Sequence, residues 1–294
     1  MSNAAPMIAA HLREPFTTGD LPGLEPLRTA GYDGVVLQGL FGQFGSPLES
    51  AAQRAELRRR VEQSGLAIAA LHSGLSFCHS GRPALLGSQQ RLVEIIHHAA
   101  ELNAAQVVVA GAELTGLRIR TQALERYTHA LRVAAVEAEL CGVTLLFENA
   151  AALRSSNDAW FLWDAVGSAW VGICLNIMEA ARAGEPPSLS TPRLGRCLRA
   201  VTLGDELFDD TGALQSARLG PALVDPPLLI DVLRGLAYTG WIWVSLRGQQ
   251  AQRLAGAAAA VRTELQRPVV PLAAYKGDRN APKFATPGAA RPAI

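Results

Sequence analysis

Eight times along this chain a short, nearly all-apolar run ends on a polar residue and gives way to a helix-patterned stretch. The clearest instance is VTLLFEN, residues 143–149, in which the apolar run meets Glu148. A helix-like segment, 127–141, precedes it, and Gly142 is the stop signal. A strand without alternating polar positions must be covered on both faces, and helices between successive strands make neighbouring strands parallel. The alternation, spread over roughly 250 residues, has the order and length of one α/β domain, a (β/α)₈ or TIM barrel. In that architecture the polar residues that close the strands gather at the C-terminal rim.

The remaining units supply candidates for the rim. The first run, 7–12, ends at His11, and GVVLQ ends at Gln38. LAIAALH ends at His72, and 106–110 is followed by Gly111 and Glu113. WVGICLN ends at Asn176, the strand 199–203 ends beside Thr202 and Asp205, and WIWVSLR carries Ser245 and Arg247. Thr18 or Asp20 is expected to cap a first helix that Gly31 stops, and Pro226 and Pro227 to begin a later one. The loop GLFGQFGSP sets Phe41 and Phe44 at the rim, and SGLSFCHSGRP carries His79. Trp160, Trp163 and Trp170 read as packing residues, and His97 and His98 as surface or packing residues on a helix. LGPAL is a weak candidate for phosphate contact through backbone N–H groups. From residue 268 onward prolines alternate with Gly, Ala and basic residues, so the expected division is a barrel over 1–267 and an extended tail over 268–294.

Composition narrows the function. With 27 basic against 26 acidic residues and no long basic run, there is no electrostatic case for a nucleic-acid or anionic-membrane partner, which leaves a small molecule. Cys78, Cys141, Cys174 and Cys197 form no CxxC pair, and Cys141 and Cys174 read as small core residues. The amino terminus lacks the basic flank of a signal peptide, and no apolar run reaches the ~18 residues of a membrane span, so a cytoplasmic protein is expected. Both lysines, Lys276 and Lys283, fall in the tail, which argues against Schiff-base chemistry in the barrel.

Several segments together resemble the xylose isomerase-like TIM-barrel superfamily of sugar phosphate isomerases and epimerases: AGYDGVVL, SGLAIAALHSG, AAELNAAQVVVAG, GVTLLFEN, VGICLN, VTLGD and LGPALVD through YTGWIWVSL. The resemblance implies a divalent metal held by a Glu after the fifth strand, an Asp after the sixth, a His after the seventh and a Glu after the eighth. Carried over, the first ligand is Glu148, while the other positions read Asn176, Thr202 and Ser245. The usual Asp-x-x-His pair is replaced by Asn176 and Glu179. The resemblance further makes His72 the family histidine of the third strand, Arg218 a substrate-contacting arginine and Asp205 the aspartate of the seventh-strand motif.

These exchanges remove charge. A hard dication seeks several anionic oxygens, and a charge pair ~4 Å apart is worth roughly 4 kcal/mol at an effective dielectric near 20. No cofactor is therefore expected, beyond a weakly held Mn or Mg ion at Glu148. The family's two-glutamate proton transfer also loses its second member, since Ser245 stands opposite Glu148. The expectation is a barrel binding a polyhydroxylated or keto ligand through His11, Gln38, Asn176, Thr202, Asp205, Arg218 and Ser245, with Glu148 as metal-free base and His72 as partner. An inactive member serving as scaffold or as partner of an active paralogue is the alternative, and a homodimer is compatible with either. A third reading recruits Glu179, Asp205 or Glu113 as substitute metal ligands.

Overall fold

The computed structural model describes residues 5–12, 24–38, 50–78, 81–114, 119–247 and 251–268. Strands β1 (Met7–Leu12), β2 (Gly34–Gln38), β3 (Ala67–His72), β4 (Gln106–Ala110), β5 (Thr144–Glu148), β6 (Val171–Asn176) and β7 (Leu198–Gly204) lie side by side and parallel. An antiparallel hairpin, β8 (Ala217–Leu219) with β9 (Ala222–Val224), follows, and β10 (Trp241–Ser245) closes the ring between β7 and β1. The eight-stranded barrel expected from the alternation of strand and helix is the fold.

Helices α1 (Leu24–Thr29), α2 (Ala51–Gln63), α3 (Arg82–Glu101), α4 (Arg120–Cys141) and α5 (Ser156–Val166) follow the first five strands. Two short helices, α6 (Ile177–Arg182) and α7 (Pro187–Leu194), join β6 to β7, and α8 (Pro226–Gly235) and α9 (Ala251–Gln266) flank β10 in the chain. Helix boundaries follow local chemistry. Ser50 caps α2 in a reciprocal capping box with Gln53, Gly142 ends α4 at φ 67°, and α8 begins at the Pro226–Pro227 pair as expected.

The LGPAL segment turns out to be a hairpin corner, with Gly220 at φ 60°, and packs beside α6. The expected cap at Thr18 or Asp20, Phe41 and Phe44, His79, and the tail from residue 269 lie outside the described residues. No helix of the described residues is long and apolar enough to cross a membrane.

Inside the ring, Ala9, Val36, Ala70, Val108, Leu146, Cys174, Ala200 and Trp243 form the buried interior. Their neighbours one position along, such as Leu37, Val109, Phe147, Leu175 and Val244, pack outward against the helices. Mostly small interior side chains leave room for the Trp243 indole. Gly34 does the same for Trp241, since a Cβ there would lie 3.0 Å from that ring and 2.7 Å from the Ala67 carbonyl oxygen.

The last helix is fastened to the first unit. Tyr32 donates to the Leu254 carbonyl at 2.9 Å, and Arg262 reaches the Gly31 carbonyl and the Asp33 carboxylate, which also accepts from the Ile8 amide. Cys174 is buried as expected, while Cys141 packs against the core only from its edge. It is half-buried at the end of α4, beside His97 and Glu137, because the last turn of that helix emerges toward solvent.

Candidate functional site at the barrel mouth

Two residues beyond the interior side chains, the period of two brings His11, Gln38, His72, Ala110, Glu148, Asn176, Thr202 and Ser245 to the C-terminal mouth. Strand register aligns Gln38 with His72, Ala110 with Glu148 and Asn176 with Thr202. Seven expected rim residues therefore gather at one mouth, His11, His72, Glu148 and Thr202 from alternate strands at one level and Gln38, Asn176 and Ser245 from the strands between them at another. Asp205, the first residue of a single 3₁₀ turn after β7, stands just above them.

Arg218 does not join them. It lies exposed on the β8–β9 hairpin, paired with Leu223, where that hairpin packs against α6, and it is not among the residues that line the cleft.

Glu148 is 5% exposed and bound on both oxygens. His72 Nε2 lies 3.2 Å from Oε2, and Asn176 Nδ2 donates to Oε1 at 3.0 Å. The Gly74 N–H approaches His72 Nδ1 at 3.4 Å, which leaves Nε2 facing Glu148. His11 stacks on His72, with centroids 5.7 Å apart, and meets Trp243 edge-on. Burial alone pushes the Glu148 carboxyl up. The His72 hydrogen bond and charge, the charge of His11 and the Asn176 amide more than reverse that, holding it below the usual carboxylate range.

Asn149 fixes this arrangement and was not singled out by sequence reasoning. Fully buried, it donates to the carbonyls of Arg154 and Asn176 and accepts from the Asn176 N–H at 2.7 Å, tying the end of β5 to the end of β6. Its only sequence signal is its place directly after Glu148 in FEN.

The four positions aligned with the family's metal ligands do not present a matching donor set. Both Glu148 oxygens already accept hydrogen bonds. Asn176 turns its N–H toward the carboxylate and spends its amide oxygen capping α6 at the Glu179 N–H, 3.3 Å away. Thr202 Oγ1 lies 3.3 Å from Cys174 Sγ.

The substitute ligands do not converge either. Glu179 pairs with Arg182 and Arg154, Asp205 pairs with Arg253 at 2.6 Å, and Glu113 is exposed. Among the described residues, three potential ligands meet only at His97, Glu137 and Cys141, on the outer helices.

Beside Glu148 the mouth opens into a cleft of about 160 Å³ between β6, β7 and β10. Asn176, Thr202 and Ser245 form its floor, and Glu179, Arg182, Asp205, Glu206 and Arg247 contribute to its walls. Ser245 is 1% exposed and its hydroxyl has no partner among the described residues. Gly204 keeps the cleft open at α6, since a Cβ there would come within 2.6 Å of Met178. Arg182, at the end of α6, bridges Glu179 one turn back and Glu206 of the 3₁₀ turn, and no sequence spacing announces the second contact.

Solved structures with this fold include several sugar epimerases. A 3-keto-D-glucoside 4-epimerase, YcjR, from E. coli superposes with a TM-score of 0.70 at 17% identity, over 88% of this chain and 99% of that one. A D-psicose 3-epimerase with D-tagatose from Clostridium cellulolyticum gives 0.70 at 14% identity over the same shares. A sugar phosphate isomerase/epimerase from Parabacteroides distasonis gives 0.62 at 14%, over 90% of this chain and 95% of that one. No curated protein sequence matches this chain. The family model described as xylose isomerase-like TIM barrel matches residues 24–266, and the chain belongs to that family.

Proposed function

We propose that the barrel mouth receives a small polyhydroxylated or keto-bearing molecule and that Glu148, without a metal ion, takes a proton from the carbon beside its carbonyl. The observation that carries this reading is a buried carboxylate, oriented by His72 and Asn176, whose partner Asn176 lines a polar cleft floored by Thr202 and the unpartnered hydroxyl of Ser245. The sugar epimerases that share the fold support the ligand class. When the C–H bond breaks, its electron pair moves onto the carbonyl oxygen. Ser245 O–H and Arg247, both lining the cleft, are the groups placed to stabilise that charge.

A single carboxylate returns the proton to the face it came from. That suits isomerisation between adjacent carbons, or dehydration, and disfavours epimerisation, which needs an acid on the opposite face where Ser245 stands. His72 keeps Glu148 oriented, and His11 extends the pair as a second ring stacked on the first.

One feature favours a second reading, in which the barrel binds without turnover as a scaffold or as the partner of an active relative. A carboxylate held below its usual range is a weak base and a good acceptor for ligand hydroxyls. Proton NMR in D₂O separates the two. On a panel of ketohexoses and 3-keto-glucosides, the wild type is expected to exchange the proton beside the carbonyl, and Glu148→Gln to lose exchange while still binding. Binding without exchange in either protein supports the scaffold, and equal exchange in both removes Glu148 as the base.

A further inference from the structure

Away from the mouth, on the outer helical layer, three side chains of different chemistry converge. Glu137 and Cys141 stand one turn apart on α4, so both project from one face. His97 reaches them from α3. Cys141 Sγ lies 3.6 Å from His97 Nδ1 and 3.9 Å from Glu137 Oε1, and Glu137 Oε1 lies 3.1 Å from His97 Nε2. One ligand atom from each residue falls within 4.8 Å of the other two.

Ordinary packing does not ask for this set. A tetrahedral zinc ion with bonds of about 2.3 Å to sulfur and about 2.05 Å to nitrogen separates those two atoms by about 3.6 Å, the spacing found between Cys141 and His97. Thiolate and carboxylate together neutralise a dication, and thiolate with imidazole selects borderline transition ions over Mg²⁺ or Ca²⁺.

We infer that His97, Glu137 and Cys141 form a three-ligand site for a divalent transition ion, zinc foremost, linking α3 to α4. Binding needs the Glu137 carboxylate to swing from the outer ring nitrogen toward the sulfur, and the thiol proton leaves to solvent as the sulfur–metal bond forms. His97 is half exposed, which leaves the fourth position to water. The site shares no residue with the barrel mouth and does not depend on the function proposed there.

Cobalt titration of the chelator-treated full chain tests this. The wild type is expected to gain thiolate-to-cobalt charge-transfer absorption and tetrahedral visible bands, which zinc then displaces, and its thermal midpoint should rise with zinc. Cys141→Ser should lose the charge-transfer band, and Cys141→Ser and His97→Asn should each bind at least about tenfold more weakly, since even an outer-shell partner is worth that much. Absence of the band in the wild type overturns the assignment. So does its persistence in Cys141→Ser, which would place the sulfur elsewhere, or unchanged affinity in His97→Asn.

Discussion

Replacing Asn176 by aspartate probes the barrel mouth with almost no change in shape. The new side chain keeps an oxygen for the Glu179 N–H, so the cap of α6 survives, and the Asn149 contacts go to the backbone of residue 176 and are untouched. What changes is the atom 3.0 Å from Glu148 Oε1, where a donor becomes a second anionic acceptor.

Losing a hydrogen bond to an ionised group costs about 1.5–3 kcal/mol. Repulsion between unit charges ~4 Å apart adds roughly 4 kcal/mol at an effective dielectric near 20. Together these exceed the cost of protonating one carboxyl at pH 7, about 4 kcal/mol for a group of ordinary pKa near 4. The pair therefore takes up a proton, and that figure caps the destabilisation.

The folded variant then binds one proton more than the unfolded chain. Its stability relative to wild type falls by about 1.4 kcal/mol per pH unit between pH 4 and pH 7. At about 2–4 °C per kcal/mol for a chain of this size, Asn176→Asp should melt roughly 8–16 °C below wild type at pH 7 and approach it near pH 4. Thermal unfolding of both proteins across that range checks the slope. A gap that is absent, or equal at the two ends, refutes the contact between Asn176 and Glu148.

Tyr32→Phe removes one buried hydrogen bond to the Leu254 carbonyl, an oxygen inside helix α9, and should cost about 0.5–1.5 kcal/mol in denaturant unfolding, with ligand binding at the mouth unchanged. Asn149→Ala removes three buried hydrogen bonds and should cost about 3 kcal/mol. Unlike Tyr32→Phe, it should also weaken ligand binding measured by calorimetry, because the strand end that presents Asn176 loses its anchor.

Much of this molecule is legible from its sequence because one rule, the period of two, acts on every strand. Apolar runs fixed the strands, and the polar residue two places past each interior side chain marked the mouth; His11, His72, Glu148 and Ser245 all follow from it. Contacts made across chain connections escape that rule. Arg218 sits on an antiparallel hairpin that the alternation of strand and helix does not foretell, and Arg182 meets Glu206 only because the end of α6 comes against the 3₁₀ turn after β7. Cys141 reads as apolar in a run of alanines and leucines, yet the helix ends there and turns it toward His97. Asn149 shows the opposite failure, a residue in plain view whose importance depends on where the neighbouring strand stops.

Asn176 serves two structures at once. The side chain that touches Glu148 also secures the first turn of the helix bearing Met178, Glu179 and Arg182. Any guest that draws that amide to itself must loosen one side of its own compartment, so occupancy and the mobility of that side rise or fall together. Amide exchange at Glu179 would then register a visitor that never comes near it.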